Sequence, residues 1–198
     1  LWGVEKWAAS VGGHQWRTTG DIRDTWKSMA NIGFGQAGYE KYAGPGRWND
    51  PDMLVVGKVG WGPEVKETRL SRDEQITHLT LWSMLAAPLL IGCDMADMDV
   101  FTRAVLTNPE VIEVNQDPLG KQAARILKRG QAEVWARPLW DGTIAVALFN
   151  RGKKEAKIAV SWDELGLSGA KPVRDLWRGM EIGEFSGSFS AMVAPHGA

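Results

Sequence analysis

The stretch G-P-G-R-W-N-D-P-D-M-L, residues 44–54, places two acids around a proline and then continues into an apolar run. Pro51 fixes its own φ and restricts the residue before it, so Asp50 and Asp52 are held by a stiff backbone. Residues two apart share a face of an extended strand, but a proline turn breaks that rule. We therefore expect one acid to point into a cleft and the other to pair with a neighbour. The alternative is that both are turn and cap residues.

Around this stretch, strand-like runs alternate with helical segments. Residues 15–19 are rich in β-forming side chains and end at a glycine. Asp24 can cap a helix over residues 25–30. Residues 71–74 form a capping-box pattern, and apolar residues at helical spacing follow it as far as Pro88.

The same alternation continues after Pro88. Residues 89–93 are a continuous apolar run, typical of a strand buried on both faces. Further helices are predicted over residues 99–106 and from Asn108, with Pro109 at the first helical position. Strands that alternate with helices predict a parallel sheet with helical crossovers.

Beyond Gly120 the pattern changes to short β-rich runs, at residues 132–140, 143–150, 156–162 and 185–193. Asp141-Gly142 between the first two runs is a strong hairpin signal. Antiparallel strands at such intervals predict a β-sandwich. We therefore predict two domains, a partial β/α barrel over residues 1–121 and an antiparallel β-sandwich over residues 122–198.

Composition excludes several classes of function. The chain has 198 residues and a net charge of −1, so nothing predicts binding to nucleic acid or to an anionic membrane. No apolar run approaches the roughly 20 residues that span a bilayer. The single cysteine, Cys93, cannot form a disulfide within this chain. The three histidines are too scattered for a metal site, and no cofactor motif is present.

Tryptophan is unusually frequent, with 11 Trp against 2 Tyr and 5 Phe. An indole ring can stack on the C–H face of a sugar, and its N–H can pair with a hydroxyl. Tryptophan also fills cores. A second sugar-binding surface and core packing are therefore both open for the four tryptophans of the β-rich region, Trp135, Trp140, Trp162 and Trp177.

Acids stand at the ends of three predicted parallel strands. Asp21 follows the first, the Asp50/Asp52 pair follows the second, and Asp94 follows the third. In a β/α barrel, the carboxyl ends of the strands form the rim on which active sites are built. These acids are therefore candidates for catalysis.

Four motifs together resemble a known family. They are W-R-T-T-G-D-I (residues 16–22), G-P-G-R-W-N-D-P-D-M-L (44–54), A-A-P-L-L-I-G-C-D (86–94) and V-I-E-V-N-Q-D-P-L-G-K-Q (111–122). In this order and spacing they closely resemble the α-galactosidases of glycoside hydrolase family 27. The resemblance implies the C-terminal half of a (β/α)8 TIM barrel followed by an antiparallel β-sandwich domain, in agreement with the alternation of elements.

The resemblance also implies roles for individual residues. Asp21 matches the general acid/base of a retaining mechanism, and Arg17 matches a residue that hydrogen-bonds sugar hydroxyls. Asp52 and Met53 match residues that line the galactose pocket, and Trp48 matches a support of that loop. An arginine beside a carboxyl favours its ionised form, whereas desolvation by tryptophan opposes ionisation, and the sequence leaves the balance open.

The sequence departs from the family at both ends. Leu1 and Trp2 fall where the family often has Glu or Gln before Trp-Gly, beside the sugar's 2-position, and we assign both to substrate binding. The family's nucleophile, an aspartate in a motif resembling Y-x-K-x-D, has no match and by position would precede Leu1. We therefore expect a fragment that lacks the nucleophile and whose partner is the N-terminal half of the barrel.

The resemblance implies a retaining α-galactosidase that acts on terminal α-linked galactose without a metal or cofactor. Within the family, α-N-acetylgalactosaminidase and β-L-arabinopyranosidase activities are alternatives. A non-catalytic carbohydrate-binding or scaffold fragment is an alternative from a different class, because the nucleophile is missing from this chain.

Overall fold

The computed structural model describes residues 3–60 and 62–198. Its first part is built from four helices and four short strands. The helices are α1 Trp26–Phe34, α2 Arg72–Met84, α3 Val100–Leu106 and α4 Pro109–Asn115. The strands are β1 Gln15–Arg17, β2 Trp48–Asp50, β3 Lys58–Val59 and β4 Lys66–Glu67. Short 3₁₀ turns lie at Val4–Lys6, Ala8–Val11, Glu40–Tyr42, Gly62–Glu64, Met95–Asp97 and Asp163–Leu165.

The predicted parallel pairing is present. β1 runs parallel to β2, with Arg17 opposite Asp50. Four residues beyond β2, Leu54 forms a parallel bridge with Ile91. Because β1, β2 and the segment around Ile91 run in the same direction with helices between them, their carboxyl ends lie at one rim.

The segment 89–93 differs from its prediction as a strand buried on both faces. It makes only isolated bridges in the described chain, from Ile91 to Leu54 and from Cys93 to Val59. Leu90 is 48% exposed and Ile91 is 46% exposed. The prediction is wrong here because burial on both faces requires flanking strands and helices on both sides, and the described residues do not supply them.

Helix capping follows the sequence with one exception. At α2, Ser71 Oγ accepts from Glu74 N at 3.3 Å while Glu74 Oε2 accepts from Ser71 N at 2.9 Å, which confirms the capping box. The cap of α1 is Thr25 and not Asp24 as predicted. Asp24 instead accepts from Arg69 Nε at 3.1 Å, and this ion pair lowers the pKa of its carboxyl.

The second part consists of seven antiparallel strands. They are β5 Ala124–Arg129, β6 Ala132–Pro138, β7 Ile144–Asn150, β8 Ala156–Ser161, β9 Ala170–Asp175, β10 Met180–Ser186 and β11 Ser188–Val193. β5, β6 and β7 form one sheet, β8 pairs with β11, and β9 pairs with β10. The Asp141-Gly142 hairpin is confirmed between β6 and β7. β5 was not predicted, because its sequence lacks a clean alternation of apolar and polar residues. In the structure its residues are half-buried or exposed.

One core joins the helices to the first sheet of the sandwich. Phe34 of α1 meets Phe149 of β7 edge-on, with ring centroids 5.2 Å apart. α1 approaches α2 closely at Gly33, where an added Cβ would lie 2.7 Å from the Trp82 ring. The predicted boundary between residues 121 and 122 falls between α4 and β5 in the chain, and we keep it as a proposal. No helix in the described ranges has the length and apolarity to cross a membrane.

Candidate active site

The rim residues are arranged around Arg17, the last residue of β1. Its Nη2 lies 2.9 Å from Asp52 Oδ2 and 3.4 Å from Asp21 Oδ1. The side chain of Asp21 is 97% exposed, whereas that of Asp52 is 11% exposed. The structure therefore brings together three of the predicted residues, with a solvated acid on one side of a guanidinium and a buried acid on the other. The sequence left open whether tryptophan desolvates a carboxyl beside Arg17, and the Asp21 side chain is solvated in the described chain.

Asp52 also holds the loop that carries Asp21. Its Oδ2 accepts from Ile22 N at 2.8 Å, and its Oδ1 accepts from Met53 N at 2.8 Å. The residue has φ 87°, in the left-handed region that non-glycine residues rarely adopt. The carboxylate of Asp52 thus fixes both the guanidinium and the backbone next to the solvated acid.

Asp50 is committed to the chain through both oxygens. Oδ1 accepts from Asp52 N at 2.8 Å, and Oδ2 accepts from Gln15 Nε2 at 2.9 Å. Asp50 is buried, and its carbonyl accepts from Thr18 N at 2.9 Å, which extends the pairing with the strand before it. Which of the two acids contacts a sugar stays a prediction, with Asp52 expected in the pocket and Asp50 in support.

The remaining predicted residues are distributed differently. Met53 is half-buried against Gly92, where an added Cβ would lie 2.6 Å from Met53 Sδ. Leu1 and Trp2 lie outside the described residues. Trp48 begins β2, at the amino end of the strand and away from the rim, and its ring lies close to Gly120. Its support of the Asp52 loop stays a prediction.

Asp94, the third predicted rim acid, has a local role. Its Oδ1 accepts from Ala96 N at 3.0 Å and caps the turn Met95–Asp97. No hydrogen bond or ion pair in residues 3–60 and 62–198 joins Asp94 to Arg17 or Asp52. Cys93 beside it is half-buried. Burial, and to a smaller extent the negative charge of Asp94, raises the pKa of its thiol, which favours the unreactive protonated form.

One cavity lies at the amino ends of β1 and β2, away from Asp21 and Asp52. It measures about 440 Å³ and is lined by residues at the amino ends of β1 and β2, among them Gln15 and Trp48. A cavity of about 220 Å³ includes Ile22 and Met53 and therefore borders the Asp52 loop. Because barrel chemistry sits at the carboxyl ends of strands, the rim around Arg17 is the better candidate site than the larger cavity.

His14 and His196 contact other parts of the chain rather than the rim around Arg17. His14 Nδ1 lies 3.0 Å from Gly46 O. His196 Nδ1 lies 2.6 Å from Glu74 Oε1, and its ring stacks on Trp26 at 4.1 Å. No group of three or more His, Cys, Asp or Glu residues is placed to hold a metal ion in the part of the chain that the structure describes.

The four tryptophans of the sandwich differ in burial. Trp135 and Trp162 are buried in cores. Trp177 is half-buried and donates from Nε1 to Thr80 Oγ1 at 2.9 Å. Only Trp140 of these four is largely exposed, at 67%, on the turn between β6 and β7. Three of the four therefore serve packing.

Sequence reasoning missed a contact that shapes the site. Trp82 Nε1 donates to the carbonyl of Asp52 at 2.7 Å, from 30 residues away in the chain. The helical spacing identified Trp82 only as an apolar position of α2. No local pattern could have shown that its N–H reaches the rim.

The fold combines parallel strands, helical crossovers and an antiparallel sandwich, with acids at the carboxyl rim, which is an architecture of glycoside hydrolases. The family model described as "Alpha galactosidase A" matches residues 8–117, and the model of the "Alpha galactosidase C-terminal beta sandwich domain" matches residues 129–198. The chain belongs to the α-galactosidase family, glycoside hydrolase family 27.

Individual relatives agree with this membership. Alpha-galactosidase 2 of Arabidopsis thaliana is 44% identical over 98% of this chain and 48% of its own length. The β-L-arabinopyranosidase of Geobacillus stearothermophilus has a TM-score of 0.86 at 33% identity, over 93% of this chain and 43% of that one. α-Galactosidase I of Mortierella vinacea has a TM-score of 0.85 at 28% identity, over 98% and 54%. The chain spans about half the length of the curated relatives it matches.

Proposed function

We propose that the complete protein is a retaining α-galactosidase that removes terminal α-linked galactose. The observation that carries the proposal is the placement of Arg17 between Asp21, 3.4 Å away, and Asp52, 2.9 Å away. A solvated acid, a fork of donors and a fixed carboxylate at one barrel rim are the groups that a glycosidase uses to protonate a leaving oxygen and hold sugar hydroxyls.

In this proposal Asp21 is the general acid. It protonates the glycosidic oxygen as the bond to the anomeric carbon breaks, and it then takes a proton from the water that releases the sugar. Its exposure leaves room for the leaving group. Arg17 donates to adjacent hydroxyls of the sugar, since a guanidinium presents several donors in a fixed plane. Asp52 and Met53 line the pocket, with a polar and an apolar contact respectively.

The nucleophile in this proposal comes from a part of the protein outside these 198 residues. A retaining enzyme needs two carboxyls about 5 Å apart on opposite sides of the anomeric carbon. Asp50 is committed through both oxygens to Asp52 N and Gln15, and Asp52 is paired with Arg17. Neither is free to attack. Relatives of about twice the length have room for the second carboxyl.

Two activities of the same family are alternatives, and one alternative is not catalytic. Because the β-L-arabinopyranosidase of Geobacillus stearothermophilus is structurally similar, we include a test with a sugar that lacks the hydroxymethyl group of galactose. A matched set of nitrophenyl α-galactoside, α-N-acetylgalactosaminide and β-L-arabinopyranoside separates the three hydrolases. Sugar binding without hydrolysis of any of them by the complete protein would favour a carbohydrate-binding or scaffold role.

The proposal is tested by Asp21→Asn in the complete protein. We expect the rate on an alkyl α-galactoside, a poor leaving group, to fall about 100-fold, because general acid catalysis is worth about 10²–10⁴. The glycosylation step with a dinitrophenyl leaving group should fall much less, because that group leaves without a proton. Asp163→Asn, at an exposed aspartate of the sandwich, is the control. Wild-type turnover of the alkyl galactoside by Asp21→Asn would refute the assignment.

A further inference from the structure

Helix α2 meets the segment that carries Asp52 through a row of polar side chains. Gln75 Oε1 accepts from Gly57 N at 3.0 Å, and His78 Nε2 accepts from Val55 N at 3.1 Å. Trp82 Nε1 donates to Asp52 O at 2.7 Å. Positions 75, 78 and 82 lie on one face of a helix, so a single rigid element hydrogen-bonds to the backbone of residues 52–57 at three points.

The opposite side of this segment is paired in the ordinary way. Leu54 N donates to Leu90 O at 2.8 Å, and Gly92 N donates to Leu54 O at 3.0 Å. The segment is therefore held between residues 90–92 on one side and α2 on the other. The contact from Trp82 is the one that reaches the functional end, because Asp52 is the first residue of the segment.

Asp52 depends on such restraint because its conformation is strained. Its φ of 87° is disfavoured for a residue with a Cβ, and such strain persists only where the surroundings enforce it. Asp50 Oδ1 holds the N–H of Asp52 at 2.8 Å, and Trp82 holds its carbonyl. With both of its peptide groups fixed, the Asp52 carboxylate is directed at Arg17 and at Ile22 N.

We propose that Trp82 is a positioning residue that, through the carbonyl of Asp52, sets the carboxylate that fixes Arg17 and the loop after Asp21. Trp82 is fully buried, so its side chain is not accessible to a substrate. Its effect on turnover rests on the function proposed above, whereas its effect on the geometry of the loop does not.

Amide hydrogen exchange tests the geometry directly, in the full 198-residue chain. The N–H groups of Ile22 and Met53 donate to the Asp52 carboxylate and report its position. Trp82→Phe removes the indole N–H and keeps an aromatic ring. We expect exchange at both amides to accelerate about tenfold, the size associated with losing one buried hydrogen bond.

The matched control is Trp135→Phe. Trp135 is also fully buried and donates from its indole to a side chain, Glu133 Oε2 at 3.0 Å, but it lies in β6 and does not contact Asp52. It should change exchange at Ile22 and Met53 by less than about twofold, since its indole N–H donates to Glu133 and not to the Asp52 segment. Equal acceleration in the two variants, or none in Trp82→Phe, would overturn the proposal.

Two further measurements keep the test decisive. In the wild-type chain at low urea, the Trp82 indole N–H and the Ile22 amide should become exchangeable in the same opening event, and separate events would contradict the proposal even if Trp82→Phe does not fold. In the complete protein, Trp82→Phe should raise KM for a nitrophenyl α-galactoside about tenfold and change kcat less. A complete protein without hydrolysis would refute the proposed function and leave the exchange result to decide the role of Trp82.

Discussion

At the scale of single residues, the turn that leads into Asp52 depends on one buried hydrogen bond. Asp50 Oδ1 accepts from Asp52 N, and both acids of this turn are buried. Water cannot replace the Asp50 carboxylate there. A buried N–H without an acceptor bears its full desolvation cost.

Asp50→Ala should therefore lower the free energy of unfolding by about 1–3 kcal/mol, measured by urea denaturation. Asp141→Ala is the matched control, because Asp141 Oδ1 makes the same contact to Thr143 N at 2.9 Å in an exposed turn, where water takes over. We expect the control to lose less than about 1 kcal/mol. Similar losses at the two positions would show that burial of the turn does not matter.

At the scale of the element, α2 places a neutral histidine inside the protein. Burial lowers the pKa of His78 to about 3. Its Nε2 accepts from Val55 N, so the proton of the neutral ring is on Nδ1. The ring lies edge-on to Trp82, with centroids 4.1 Å apart at 82°. Protonation of Nε2 would place an N–H opposite the Val55 N–H. It would therefore break one of the hydrogen bonds between α2 and the Asp52 segment.

This histidine makes stability depend on pH. Its pKa is about 3 in the folded state and about 6.5 in the unfolded state, so the unfolded chain binds the proton first. The contribution of His78 to the free energy of unfolding is fully present above about pH 6.5. Below that pH it falls by about 1.4 kcal/mol per pH unit, until the pH approaches the pKa of the folded state. Urea denaturation at pH 7 and pH 5 measures the loss.

His78→Gln should remove most of this loss, since its amide oxygen can accept from Val55 N without titrating. His14→Gln, at an exposed histidine, should leave the pH dependence as it is in the wild type. An unchanged pH dependence in His78→Gln would mean that other groups account for acid unfolding.

At the scale of the whole molecule, the sandwich supports the helices behind the site. Arg137 of β6 is fully buried and donates from Nη1 to Ser83 O at 3.1 Å, near the end of α2. Its Nη2 lies 4.0 Å from Asp117 Oδ1, and burial lowers the pKa of the guanidinium. Because α2 also reaches Asp52, the sandwich and the rim are joined through one helix.

The 198-residue chain by itself should not hydrolyse a nitrophenyl α-galactoside, because in the described residues the carboxyls of Asp50 and Asp52 are both already engaged. Co-expression with the part of the complete protein that carries the proposed nucleophile should restore turnover. Leu90 and Ile91 form an exposed apolar edge of the described chain, and such edges favour aggregation unless they are covered. The same co-expression with Asp21→Asn is the control. Turnover by the 198-residue chain alone would place the nucleophile within it and contradict our assignment.

The sequence by itself determined the features that depend on neighbours in the chain. Ser71, Asp99 and Asn108 cap the helices that their positions predicted, because a cap bonds to an N–H a few residues away. The Asp141-Gly142 hairpin formed because its dipeptide favours the required turn. The long motifs around residues 44–54 and 111–122 were sufficient to indicate the family, and with it the order of barrel and sandwich.

Only the tertiary structure decided which distant groups meet. Asp24 could cap α1, yet it pairs with Arg69, 45 residues away, while Thr25 takes the cap. The apolar pattern of residues 89–93 predicted a buried strand, but burial depends on what packs beside it. Trp82 is a core residue, as its helical spacing indicates, but only the structure shows that its N–H donates to the carbonyl of Asp52. Local propensity fixes where elements begin and end, whereas pairing between them is set by packing over the whole chain, which no short stretch encodes.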